Sequence, residues 1–254
     1  MPHEVTADDR ERAELYRALH SGTPGDVAFY VSACAQARRV LELGCGSGRL
    51  LAPLAEAGLE VVGLDQDPAL LALAREALSE LAPEARDRVT LLQGDMSDFA
   101  LEGHFDRIII PFTGFYALDG PAVMARCLER VRAHLAPAGA LLLDAYAVDP
   151  AECRKRRRWD SGFEEVLRIP WRGQEVPVLE RNVIPGPPCR VEVTYRFVLG
   201  DREVEQHLRH HFLSWPMLDA MLEAAGFGQA AARGGFEGEP FTDSSPHMVV
   251  IAAP

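Results

Sequence analysis

Apolar and polar positions follow two different rhythms along this chain, and the change between them divides it. From Val40 onward, short apolar runs alternate with amphipathic stretches. The pattern predicts a strand ending at Leu43, a helix opened by Gly48 and running through Ala57, and a strand over 60–65. A helix over 69–81, strands over 89–93 and 105–110, a helix over 121–135 and a strand over 139–145 follow. Such alternation predicts an α/β fold with a doubly wound, mostly parallel sheet and helices on both faces. Upstream, Ala13, Leu15, Tyr16 and Leu19 share one helical face before the break at Gly22-Thr23-Pro24-Gly25, and Asp26 is placed to cap a second helix through Ala35.

Beyond residue 149 the period drops to two. The run 190–199 alternates polar and apolar residues, 203–212 does so less strictly, and Gly200-Asp201-Arg202 joins them as a hairpin. With further strand candidates over 164–169 and 176–184, this stretch predicts a small antiparallel sheet inserted into the domain as a lid. The parent pattern resumes at Ser214, placed to cap a helix over 217–225, and a strand over 248–252 follows. The chain thus divides into a helical cover (1–38), a nucleotide-binding core (39–148), the inserted sheet (149–213) and the remainder of the core (214–254).

The chemistry concentrates in Val40-Leu41-Glu42-Leu43-Gly44-Cys45-Gly46-Ser47-Gly48-Arg49, where a buried strand runs into a glycine loop. Glycines there let the backbone bend and let a ligand approach closely. Their spacing is E-x-G-x-G-x-G, and Arg49 occupies the place of the third glycine in the dinucleotide fingerprint G-x-G-x-x-G, which disfavours a nicotinamide oxidoreductase. The next strand ends in Asp65, about twenty residues past the loop, the reach at which a carboxylate meets ribose hydroxyls. Asp67-Pro68 reads as a helix cap followed by proline at the first helical position. A third strand ends in Gly94-Asp95-Met96.

These motifs, together with Leu222-Glu223-Ala224-Ala225-Gly226-Phe227 and the order of elements, resemble class I S-adenosylmethionine (SAM) methyltransferases acting on small molecules, including sugar N,N-dimethyltransferases and glycine N-methyltransferase-like enzymes. The resemblance implies a seven-stranded sheet ending in an antiparallel hairpin formed by 227–233 and 248–252. It implies that Gly44, Cys45 and Gly46 face the amino-acid part of SAM through the main chain, that Asp65 and Gln66 serve the ribose, and that Asp95 and Met96 serve the adenine. Pro111 joins this cofactor set. Glu42, inside a buried strand, requires a partner, either the loop or the ligand's ammonium group.

Composition narrows the partners. The 254 residues carry 26 Lys and Arg against 38 Asp and Glu, a net charge of −12, which argues against nucleic acid as a partner. The basic run Arg154-Lys155-Arg156-Arg157-Arg158 reads as a solvated segment. Five cysteines (34, 45, 127, 153 and 189) without a C-x-x-C pair read as reduced thiols of a cytoplasmic protein, and no metal site is expected. The first residues lack the charged and apolar regions of a signal peptide, and no stretch has transmembrane length.

The expected acceptor is a small molecule methylated on nitrogen or oxygen. Its pocket is expected along Phe112, Phe115 and Tyr116 after the fourth strand, at Tyr146 after the fifth, and beneath the insert. On the last inserted strand His210 shares a face with Val204, Gln206 and Leu208, whereas His207, Arg209 and His211 share the other, so His210 is the candidate base. Tyr16 and Tyr30 lie in the helical cover, where relatives place a tyrosine near the methionine end of the cofactor; Tyr16 is the candidate. The glycine loop and both acids lie outside the insert, so the insert is expected to cover the acceptor, with a homodimer surface as its second use. A protein or nucleic-acid methyltransferase, or a SAM-binding regulatory module without turnover, remains as an alternative.

Overall fold

The computed structural model describes residues 5–149, 151, 158–186 and 189–254. Cys153 and the basic run up to residue 157 lie outside the described residues. Helices α1 (Ala7–Leu19) and α2 (Asp26–Cys34) precede the core elements β1 (Arg39–Leu43), α3 (Leu51–Glu56), β2 (Glu60–Asp65), α4 (Pro68–Ser79), α5 (Pro83–Arg86) and β3 (Val89–Gln93). Then come β4 (Phe105–Ile110), a 3₁₀ turn (Gly114–Ala117), α6 (Pro121–His134) and β5 (Leu135–Tyr146). After the inserted strands, α7 (Trp215–Ala224), β11 (Gln229–Arg233) and β12 (His247–Ala253) complete the domain.

Seven strands form one sheet in the order β11-β12-β5-β4-β1-β2-β3. Strands β1 to β5 run parallel where they pair, β12 lies antiparallel to β5, and β11 antiparallel to β12. Strand periodicity sends alternate side chains to opposite faces, each covered by helices. Leu41, Leu43, Ile108 and Ile110 pack with Met124 and Leu128 of α6 and Leu218 of α7. Val40, Val61 and Ile109 pack on the other face with Tyr30, Leu51 and Leu54.

The insert is a separate antiparallel sheet in the order β10-β9-β8-β6, comprising β6 (Trp159–Asp160), β8 (Gln174–Ile184), β9 (Arg190–Leu199) and β10 (Arg202–His211), with β7 (Glu164–Trp171) also pairing β8. Leu199 pairs Arg202, so the hairpin loop is two residues, Gly200-Asp201, with Gly200 at φ 67° as a first turn position requires. Helix α1 lies between the two bodies. Leu15 is buried with Ile169, Val176, Val178 and Phe197 of the inserted sheet, while Ala13 packs against Ala69, Leu70 and Leu73 of α4.

Several local expectations change. Asp26 is the first residue of α2, after Gly25 at the cap position, and its carboxylate binds Arg49 through two bonds of 2.9 and 2.7 Å. Helix α3 begins at Leu51 because Gly48, at φ 85°, is still in the turn. Ser214 holds the N-cap position of α7 without a side-chain bond; its carbonyl accepts from Met217 and Leu218 instead. Strand β5 starts at Leu135, directly after α6, and includes Pro137 because Phe105 already pairs Leu135.

Candidate active site

The glycine loop is docked on the end of β2. The N–H groups of Gly44 and Cys45 both donate to the Leu64 carbonyl, at 2.8 and 3.1 Å, and Gly46 N–H donates to Asp65 Oδ2 at 2.7 Å. Gly44 and Gly46 sit at φ 73° and 52°, which favours glycine at both. Asp65 also accepts the Asp67 N–H through Oδ1 at 2.8 Å, while Asp67 itself caps α4 through Ala69 and Leu70. Burial pushes the Asp65 carboxyl up, and the backbone donors of Asp67 and Gly46 oppose that push.

Above this loop lies a cleft of about 770 Å³. Gly44, Asp65, Gln66, Gly94, Asp95 and Met96 line one side; Asp9, Arg12, Ala13 and Tyr16 of α1 line a second; residues 205–208 of β10 with Leu118 and Asp119 line a third. Asp95 is exposed there, with Oδ1 accepting the Ser97 N–H at 2.7 Å. Glu42, Cys45, Gly46 and Pro111 do not line it. The Cys45 thiol is buried, its pKa driven upward by desolvation, and Pro111 is buried with its carbonyl bonded to Gly114 N–H. The main-chain donors of Gly44, Cys45 and Gly46 expected to meet the ligand are therefore spent on holding the loop.

The polar groups beneath the loop suit a cationic ligand. Glu42 is buried, its Oε2 has no hydrogen-bond partner, and desolvation pushes its pKa to about 8, with Arg49 pulling it down and Asp65 and Asp26 pushing it further up. Arg49 is already engaged by Asp26. Glu42 thus holds an orphaned oxygen behind the glycine loop, within electrostatic reach of Asp65. The Asp65 and Asp95 carboxylates, accepting only, face the cleft where ribose hydroxyls and an adenine amino group would donate.

The loop after β4 departs from expectation. Asp144, buried in β5, accepts the Tyr30 hydroxyl at 2.6 Å and the Phe112 N–H at 2.8 Å through the same oxygen. This holds Phe112 and Thr113 at φ 52° and 60°, and the 3₁₀ turn that follows rotates Phe115 and Tyr116 inward. Both are fully buried in the core, with the Tyr116 hydroxyl donating to the Leu213 carbonyl at 2.7 Å, so they stand behind the expected acceptor wall. Phe112 alone of the three reaches toward α1, its ring 5.8 Å from that of His20.

His210 is on the inner face of β10 as the alternation required, half-buried, with burial pushing its imidazolium down, yet it does not line the cleft. Tyr146 is 46% exposed, its ring 5.6 Å from that of His247. Tyr16 does line the cleft; burial, then Asp65 and Asp67, push its phenol up to about 12. It leads to residues the sequence did not reveal. The Tyr16 ring stacks on His20 at 4.1 Å, His20 meets the Tyr195 ring edge-on at 5.6 Å, and Tyr195 pairs across the strands with Glu180; burial, then that carboxylate, push its phenol up. Among the described residues no group of acidic, histidine and cysteine side chains is arranged to hold a metal ion.

Comparison with known proteins gives this geometry its class. Residues 40–139 match the family described as a methyltransferase domain. The chain is 27% identical over 247 residues to dTDP-3-amino-3,6-dideoxy-alpha-D-glucopyranose N,N-dimethyltransferase of Streptomyces fradiae, covering 91% of each. It is 28% identical over 219 residues to the cypemycin N-terminal methyltransferase of a Streptomyces species, covering 84% of this chain and 82% of that one. The solved structure of a SAM-bound amino pentose methyltransferase from Micromonospora echinaspora, involved in calicheamicin biosynthesis, superposes with a TM-score of 0.70 at 26% identity over 100% of both chains. The CcbJ methyltransferase from Streptomyces caelestis shares the fold at a TM-score of 0.79 and 23% identity, covering 99% of each. Residues 40–139 are thus a methyltransferase domain, and the fold together with the SAM-bound relative supports a class I SAM-dependent methyltransferase. SAM is its methyl donor.

Proposed function

We propose that this enzyme methylates the amino nitrogen of a small-molecule acceptor bound between α1, Phe112 and the inserted sheet. The carrying observation is the aromatic cluster of Tyr16, His20, Phe112 and Tyr195, which begins at the donor cleft and continues beneath the sheet. Aromatic faces attract an amine in its cationic form and pack against a sugar or peptide carbon frame. The N,N-dimethyltransferase of an amino sugar and the amino pentose methyltransferase among the relatives support nitrogen as the methylated atom.

When bound, SAM supplies an electrophilic methyl group on sulfonium. The chain's own part is alignment. Glu42 receives the donor's ammonium group, Asp65 and Gln66 its ribose, Asp95 and Met96 its adenine, and Gly44 leaves room for it. Tyr16 covers the reacting end, and Tyr146 borders the acceptor from the end of β5. Orientation of two reactants in this way is worth roughly 7–11 kcal/mol at best. The inserted sheet and α1 exclude water from the methyl group. Reduced thiols and the lack, among the described residues, of any helix long and apolar enough to cross a membrane support a cytoplasmic setting.

The test is direct. The purified chain, SAM and a panel comprising methyl 3-amino-3-deoxyglucopyranoside, its 3-hydroxy counterpart and an alanyl tripeptide are incubated, with product mass and S-adenosylhomocysteine release followed. Mass gain on an amine and none on the hydroxy counterpart is expected. Methylation of the hydroxyl compound alone overturns the nitrogen assignment.

A further inference from the structure

His20 ends α1 with its Nδ1 against the Tyr16 carbonyl oxygen at 3.0 Å. A carbonyl only accepts, so Nδ1 carries the proton and Nε2 is left with a bare lone pair. Among the described residues Nε2 has no hydrogen-bond partner; the ring's one bond is through Nδ1. The ring is stacked on Tyr16, which lines the donor cleft, and is met by Tyr195 from the inserted sheet and by Phe112 from the loop after β4. Next to it, Glu180 pairs with Tyr195 across the sheet, and Gln206 follows in the same row, putting all three on one face. Glu180 Oε1 accepts from Asn182 at 2.5 Å, and its carboxylate stands beside the Tyr195 phenol as a cross-strand neighbour. Of the other histidines nearby, His207 lines the cleft but is largely exposed, with its Nδ1 against Thr194 Oγ1; His20 and His210 both stand outside the lining, and of these two it is His20 that stacks on a cleft residue, Tyr16.

Resting on the amine reading above, we propose that His20 Nε2 is the base that takes a proton from the acceptor's ammonium group, and that Glu180 with Tyr195 recognises that group in its charged form. The step balances. R–NH₃⁺ gives one proton to Nε2, leaving R–NH₂ and an imidazolium; the nitrogen lone pair then forms the N–CH₃ bond while the S–CH₃ bond breaks and its electron pair stays on sulfur. The first transfer moves one positive charge without creating another. Burial pushes the His20 imidazolium down to about 4, aided by the nearby His210, so the ring is neutral and able to accept at working pH. The same burial disfavours an ammonium ion in this place, so the acceptor too is pushed toward its neutral, nucleophilic form.

His20→Asn tests this, because the shorter amide restores the bond to the Tyr16 carbonyl while removing the base. With methyl 3-amino-3-deoxyglucopyranoside as acceptor, kcat is expected to fall by about 100-fold, the size of general-base catalysis. Calorimetric affinity for S-adenosylhomocysteine and the melting temperature are expected to hold. Glu180→Gln is expected to raise KM by about tenfold, a 1.4 kcal/mol loss, with kcat nearly unchanged. Nitrogen-15 NMR of the wild-type imidazoles, with His20 identified by its loss in His20→Asn, is expected to show the Nδ1–H tautomer and a shift of Nε2 on adding the amine. An Nε2–H tautomer, full kcat in His20→Asn, or loss of kcat in His210→Asn alone overturns the assignment. Absence of any amine methylation by the wild type overturns the function reading instead, and the tautomer and amine-induced shift still decide the role of His20.

Discussion

The Gly46 N–H donates to Asp65 Oδ2 at 2.7 Å, so the acid that ends β2 secures the glycine loop as well as facing the cleft. Asp65→Ala is therefore expected to weaken donor binding and lower the melting temperature together, whereas a residue touching only ribose would do the first alone. Charge-assisted bonds of this kind are worth about 1.5–3 kcal/mol. Asp67→Ala, which removes a helix cap, is expected to cost about 0.5–2 kcal/mol of stability and little affinity. Calorimetric titration with S-adenosylhomocysteine beside thermal melts separates the two; full affinity in Asp65→Ala removes the ribose assignment.

Glu42 gives a pH signature. Its folded pKa, raised from 4.5 to about 8 by burial, means that the folded chain holds a proton the unfolded chain has lost between those values. Its contribution is fully present below 4.5 and is lost as pH rises through 8. Glu42→Gln is thus expected to raise the melting temperature of the ligand-free chain by an amount that grows across that window and levels off above it. The same variant is expected to bind S-adenosylhomocysteine less tightly. A pH-independent difference in melting temperature contradicts the buried, orphaned carboxylate.

Arg49 joins the glycine loop to the link between α1 and α2. Its guanidinium holds Asp26 and lies where a Cβ on Gly22, at φ 100°, would come within 2.4 Å of it. Arg49→Ala leaves the nearly buried Asp26 carboxylate unpaired and is expected to cost about 3–5 kcal/mol. Lysine cannot reproduce the two-pronged contact, so Arg49→Lys is expected to recover only part of it, as denaturant titration would show. Gly22→Ala is expected to destabilise the chain through the same arginine.

Much of this was legible beforehand and some was not. Strand β9 matches its expected limits because period-two alternation needs no distant information, and Asp67 declares its cap by the proline beside it. Asp26 looked like a cap for the same local reason; its actual partner is 23 residues away. Phe115 and Tyr116 follow a strand end just as a cleft wall would, and they enter the core because Asp144, distant in sequence, holds Phe112 and Thr113 at the start of the turn. His20 escaped notice because its tautomer is set by the last turn of α1 and its neighbours come from three separate segments.

The inserted sheet, proposed to cover the acceptor, also buries Leu15 of α1, the helix that lines one side of the cleft. Leu15→Ala, at a fully buried position, is expected to cost about 2–5 kcal/mol. Because α1 carries Tyr16 and His20 as well, the same change is expected to raise KM for donor and acceptor alike, measured in steady-state assays varying each in turn. An effect on the acceptor alone would assign α1 to the lid only.

Helix α1 is also tethered by charge on two sides, through Arg10 to Glu76 of α4 and through Glu11 and Glu14 to Arg202 and Arg172 of the inserted sheet. The arginines of these pairs are largely in contact with water, so mobile ions within about 8 Å at physiological salt weaken them. The apolar contacts of Ala13 and Leu15 are indifferent to such ions. The two kinds of tether therefore answer to different conditions: added salt is expected to loosen the charged ones and to leave the apolar seating of α1 in place.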